Sequence, residues 1–352
     1  MTEQRKRRSP IRERLAADMA KRIRNNEFPA YSMMPPIREL AARYEASPRT
    51  VEAALRRMCE TDLLQRIPNR GFRVQPPAAG NARIAILYQE HGTRSHRPAI
   101  AAAAGRRLTE YGYMWDSFDL RLGLPAIGML RERYAGVLFA QQVHDRAYME
   151  DIIASGIPQV TAGWETELDQ PASYVDRDAL IRSTVRMLYD MGHREIALMV
   201  LDRERYFYPL IVRGFLAVRA ELGLADDEGA LAVMRQPGEL GAYLRCRELL
   251  KQKRRPTAII ASRDYQACGI QQACEAENLT VGRDISLVGY DDIGWPDGRG
   301  FLTTYAEPCE ELGRVAADIL HSLLSGDGGP VRREVKPVLK LRRTLCPIPA
   351  EK

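Results

Sequence analysis

The arginines between Pro36 and Val74 are spaced so that a helix can carry them to a polyanion. Ile37, Leu40, Ala41 and Tyr44 recur at i, i+3, i+4 and i+7, which is one helical face. After a polar turn, Val51, Ala54, Leu55 and Met58 form a second apolar stripe. The opposite side of that helix carries Arg49, Glu52, Arg56 and Arg57. A second helix held clear of its own core can enter a DNA major groove, where guanidinium forks meet phosphates and base edges.

The flanking residues supply the elements that would position those side chains. Pro35 and Pro36 open the first helix, where a missing N–H does least harm. Ser47 is a good N-cap, with Pro48 as first helical residue. Leu63 to Ile67 reads as a strand, Pro68-Asn69-Arg70-Gly71 as a turn, and Phe72 to Val74 as the returning strand. An earlier helix, Ile11 to Asn25, places Ile11, Leu15, Met19 and Ile23 four apart to close a three-helix core. The order is that of a winged helix-turn-helix. Residues 1–76 hold seventeen Lys and Arg against nine acids. This segment is therefore +8, and the rest is −2 within a chain of +6. A basic small domain on a near-neutral large one suits a nucleic-acid partner.

With 352 residues the chain is too long for this domain alone. Gln75 to Asn81 reads as a linker, and beyond Ala82 strand-like runs alternate with helical ones. That alternation gives an α/β class with parallel sheets flanked by helices, and the strand number favours two lobes with a ligand cleft. No run of eighteen apolar residues is present, so no membrane span or membrane partner is expected. The N-terminus lacks the apolar stretch of a secretory signal, and a cytoplasmic location is expected. The six cysteines form no C-x-x-C and the five histidines are not at ligand spacing with them, so neither a metal nor a cofactor is expected. Enzyme chemistry finds no support. There is no G-x-G-x-x-G after the first strand, no phosphate-binding G-x-x-x-x-G-K-[ST] and no G-x-S-x-G. Asp291 and Asp292 are adjacent at a strand end and point apart.

The N-terminal motifs resemble the winged helix-turn-helix of GntR-family regulators. That family opens the first helix of its pair with Pro-Ser-Glu-Arg and then Leu-Ala; here Pro35, Pro36, Ile37, Arg38, Glu39, Leu40 and Ala41 stand in place. Its recognition helix opens Ser-Arg-x-Thr-Val-Arg-x-Ala-Leu, against Ser47 to Leu55 here. The resemblance implies that Arg38, Ser47, Arg49 and Thr50 touch phosphates or base edges, and that Arg70 in the wing enters the minor groove. Pro48 and Glu52 depart from the family, which often has arginine at both places, and Arg49 stands one position along.

The larger part resembles the effector domain of LacI-type repressors, itself related to periplasmic sugar-binding proteins. The signals are Gly192 to Val200, Arg213-Gly214-Phe215, Pro256 to Asp264, Asp284 to Asp292 and Leu302 to Gly313. A GntR-like head on a LacI-like body resembles the AraR type of regulator, whose members answer to sugars. The implied organisation is a DNA-binding domain over 1–75, a linker over 76–81 and an effector and dimerisation domain over 82–347, its lobes split near 163 and 292. Arg213 and Asp291 match family ligand contacts, and Phe207, Tyr208 and Trp295 could stack on a sugar ring or serve packing. Arg263 stands where the family has Asn. It either adds positive charge for an anionic ligand, such as a sugar acid or phosphate, or pairs with Asp264 or Asp291. The expected function is a homodimeric repressor of a DNA operator, controlled by a small carbohydrate-like effector. The alternatives are a regulator whose cleft no longer binds a sugar and, last, a nucleotide-dependent enzyme.

Overall fold

Short amphipathic helices and a β-hairpin build the head. Helices α1 (Ile11–Arg24), α2 (Ile37–Arg43) and α3 (Pro48–Glu60) precede strands β1 (Leu64–Ile67) and β2 (Gly71–Val74). The computed structural model describes residues 11–348 apart from 25–26, 29–31, 62, 69, 76–81, 90–96, 141–144, 165–169, 203–208, 225–229, 294–299 and 327–330. Met19, Leu40, Val51, Leu55 and Met58 share one core with Phe72 of the hairpin. Ile11 does not join it. At 66% exposure it stands one turn ahead of Leu15, where the buried stripe begins. Ser47 caps α3 and Pro48 is its first residue, whereas Pro36 is the N-cap of α2 and lies outside that helix. The strands pair antiparallel from Leu64 opposite Val74 to Ile67 opposite Gly71. Gly71 has φ +106, a conformation that glycine alone adopts cheaply.

The chain forms two compact units, crossing between them after residues 173, 311 and 333. The first unit, besides the head, carries a sheet in the order β13-β7-β6-β5-β3-β4. Its strands are β3 (Arg83–Tyr88), β4 (Met114–Asp119), β5 (Gly136–Phe139), β6 (Gln159–Trp164), β7 (Ala172–Val175) and β13 (Arg332–Glu334). Its helices are α4 (Arg97–Glu110), α5 (Ile127–Arg133), α6 (Arg146–Ala154) and α11 (Cys309–Ser325). Strand β4 has no clear apolar run in the sequence. It is an edge strand, half exposed, held by six parallel register pairs with β3.

The second unit carries a sheet in the order β14-β12-β11-β10-β8-β9. These strands are β8 (Ile196–Leu201), β9 (Leu231–Met234), β10 (Ala258–Ala261), β11 (Ser286–Asp291), β12 (Thr303–Ala306) and β14 (Val338–Lys340). Strands β8, β10 and β11 are buried at every position, as expected of parallel strands covered on both faces. Helices α7 (Arg177–Asp190) and α8 (Pro209–Glu221) cover Leu198, Ile260 and Val288. Helices α9 (Gly238–Leu250) and α10 (Asp264–Ala276) cover Ile259 and Leu287 on the other face. His193 of the G-H-R motif is fully buried. Its ring bonds Thr257 Oγ1 and Ser286 Oγ at 2.9 Å each and the Cys346 carbonyl at 3.0 Å, so this motif is structural.

Candidate functional site

In the head, the arginines divide into paired and available ones. Arg22 bonds Asp18 and Glu27, Arg43 lies 3.7 Å from Glu27, and Arg57 lies 3.8 Å from Glu13 of α1. Arg38, Arg49 and Arg70 are exposed and make no ion pair with a described residue. Ser47 Oγ accepts from the Thr50 N–H at 3.1 Å and shares a 2.7 Å hydrogen bond with the Thr50 hydroxyl. This cap fixes where α3 starts, and so which side Arg49 occupies. On the same outer side, Glu52 Oε1 accepts from Arg56 Nε at 3.2 Å and from Arg56 Nη2 at 2.7 Å.

The second unit gathers charged groups at the carboxyl ends of its central strands. Asp291 ends β11 and is 4% exposed. Arg263 is the residue before α10, and its Nη1 lies 3.3 Å from both Asp291 oxygens. Asp292, next along, accepts from Arg342 Nη2 at 2.6 Å. Both aspartates have positive φ, +118 and +56, a strained turn of the sort that clusters at ligand sites.

A third carboxylate, which the motif reading treats only as a possible partner of Arg263, supports that turn. Asp264 is 7% exposed and accepts from the Thr304 hydroxyl at 2.7 Å. Burial, and then the negative charge of Asp291, push its pKa up to about 7. Hydrogen bonds from Thr304 and from the backbone N–H groups of Asp292 and Ile293 pull the other way. Gly289 of β11 leaves the room: a Cβ there would overlap Asp264 Oδ1 and lie 2.6 Å from Leu302. Three separate motifs thus converge on one buried carboxyl, a convergence with no local periodic signal in the sequence.

Arg213 is exposed on α8 and makes no ion pair with a described residue. Its neighbours in the R-G-F motif are structural. Phe215 is fully buried, and a Cβ on Gly214 would stand 2.6 Å from Asp178 Oδ1 and 2.8 Å from Ile181. Phe207, Tyr208 and Trp295 lie outside the described residues. Behind the strand ends, Arg177 and Glu307 form a buried ion pair at 3.1 Å, and the Arg177 guanidinium stacks 3.5 Å from the Tyr290 ring centre. Burial raises the Tyr290 phenol well above its usual pKa. A cavity there is bordered by Thr184, Ile211, Ser262 and Tyr290.

Comparison with known proteins agrees with this layout. Residues 11–74 match the gntR family of bacterial regulatory proteins, and residues 185–345 match the periplasmic binding protein-like domain. The HTH-type transcriptional repressor PurR of Edwardsiella ictaluri is 31% identical over 196 residues, covering 54% of this chain and 57% of that protein. The chain thus spans little more than half the length of this relative. PurR of an Escherichia coli strain is 31% identical over 247 residues, covering 67% of this chain and 70% of that protein. The ribose operon repressor of Escherichia coli is 28% identical over 206 residues, covering 56% and 57%. Among solved structures, a LacI-family regulatory protein from Chloroflexus aggregans superposes with a TM-score of 0.66 at 20% identity, covering 74% of this chain and 98% of that one. A LacI-family regulator from Enterococcus faecium with bound ribose gives 0.61 at 20% identity, covering 76% and 100%. The chain therefore belongs to the PurR-type family of transcription regulators, with a head that matches the gntR family of bacterial regulatory proteins.

Proposed function

We propose that this chain is a transcription repressor rather than an enzyme. Its head would bind operator DNA as a homodimer in the cytoplasm, under the control of a small carbohydrate-like effector. The observation that carries this reading is the sorting of charge on the head. Arginines turned to the head's own acids are neutralised, while Arg38, Arg49 and Arg70 stand exposed without a described ion-pair partner. The domain reading is a head over 1–75, a linker over 76–81 and an effector domain over 82–347. A dimer supplies two heads for two half-sites. The test is retention of duplex DNA at low salt, titrated with salt. Several phosphate contacts would make the affinity fall steeply. No retention at low salt would remove this reading.

For the effector, we assign Asp291 and Arg213 as polar contacts, with Phe207 and Trp295 as candidate ring-stacking residues. Arg263 contributes through Asp291. Their contact neutralises both charges, which favours a neutral polyhydroxylated ligand over an anionic one. The relatives include a ribose operon repressor, and one similar structure holds ribose. A thermal-shift screen with sugars, sugar acids and sugar phosphates tests this. Stabilisation by phosphates alone would reverse the charge argument. Stabilisation by none, with DNA binding intact, would favour a regulator whose effector site has lost sugar binding.

A further inference from the structure

We propose that Arg56 reads a guanine and that Glu52 is the residue that aims it. The inference rests on the reading of the head as a DNA-binding domain. The two side chains are one turn apart on the outer side of α3, and one carboxylate oxygen takes both Nε and Nη2 of the arginine, at 3.2 and 2.7 Å. That contact occupies the side-on fork of the guanidinium. The end-on fork, made by Nη1 and the second hydrogen of Nη2, takes no part in that contact, and the Arg56 side chain is 57% exposed. Two parallel donors in that geometry match O6 and N7 of guanine in the major groove.

The charge balance points the same way. A lone carboxylate on a helix entering a groove is repelled by phosphates on both sides. A Glu–Arg pair has no net charge, so it adds little to the general attraction for DNA; it contributes direction instead. An arginine side chain has many rotamers, and holding it against Glu52 removes part of that freedom before DNA arrives. The surroundings keep the fork accessible. Ala53, exposed beside the pair, presents only a methyl group. Arg57 is turned toward Glu13 on α1 and does not compete for the same base edge. Arg56 places a guanidinium one turn beyond Glu52 on this outer side of α3.

The test is selection of bound sequences from a randomised duplex pool by the full-length protein, at one fixed salt concentration. Wild type, Arg56→Ala, Arg56→Lys and Glu52→Gln are compared. The wild type is expected to select a half-site containing a guanine that both Arg56 variants no longer prefer. Its enrichment over other bases should fall about tenfold, with the remaining positions unchanged. Arg56→Lys keeps the charge and loses the fork, so it separates reading from attraction. Glu52→Gln is expected to weaken the same guanine preference while steepening the salt dependence by about one ion, as a freed Arg56 turns to phosphate. An unchanged half-site in Arg56→Ala would make the pair an ordinary solvated contact and overturn the inference. So would an equal loss of binding to every duplex, which marks a phosphate anchor, or the loss of a cytosine preference in Glu52→Gln with the guanine kept. If the wild type retains no duplex at all, the DNA-binding reading itself falls.

Discussion

Replacing Asp264 by Asn should remove a pH dependence of stability that this one carboxyl imposes. Asp264 is 7% exposed and its pKa rises from 3.8 to about 7, because burial and the neighbouring Asp291 both oppose its ionisation. A carboxyl raised on folding favours the protonated state. Its contribution is complete below about 3.8, the unfolded value, and is lost as pH climbs through about 7. Roughly three units at about 1.36 kcal/mol each give a loss of ~4 kcal/mol once ionisation is complete, of which ~3 kcal/mol falls between about pH 5 and about pH 8. Asn cannot ionise. Its Oδ1 can accept the backbone N–H groups of residues 292 and 293, and its amide can donate to the Thr304 hydroxyl, so it stands in for the protonated acid. Urea unfolding of both proteins across this range, followed by circular dichroism, provides the comparison. The stability difference should move toward the Asn variant by ~3 kcal/mol from the acidic to the basic end. A difference that stays flat with pH would refute the burial and charge argument for Asp264.

Four further outcomes are expected. Ser47→Ala should destabilise the head by about 1 kcal/mol, since α3 loses the cap on the Thr50 N–H; hydrogen exchange at the start of α3 reads this locally. His193, buried and bonded as a neutral ring, has its pKa pushed down by burial. Its contribution is present above about 6.5 and is lost as pH falls below that value, so acid should lower the unfolding midpoint of wild type more than that of His193→Gln. Glu307→Ala should cost about 3–5 kcal/mol by leaving the buried Arg177 charge without its carboxylate, measured by urea midpoint. Arg38→Ala should weaken DNA retention by about 1–3 kcal/mol while leaving effector-induced thermal stabilisation unchanged; equal DNA affinity would displace Arg38 from the interface.

The head was legible in the sequence because its signals are local. An apolar stripe of period 3.6, a serine before a proline and an Asn-Arg-Gly turn each follow from a few neighbouring residues, and the structure places α2, α3 and the wing where they point. The buried strands β8, β10 and β11 were legible for the same reason, since burial on both faces demands unbroken apolar runs. Strand β4 and the exposure of Ile11 were not. An edge strand needs only one neighbour's backbone, and a helix's first residue is placed by what packs beyond it.

Charge was decided by tertiary structure. Composition supplied an arginine beside Asp264 and two aspartates after Tyr290, and left open whether Arg263 met ligand or acid. Folding brought residues 263, 264, 291 and 304 to one corner of a sheet, set Arg263 against Asp291, and kept Asp264 out of water. Pairing and desolvation depend on distances between groups far apart in the chain. No local spacing records them, and they determine which charges remain available to a partner.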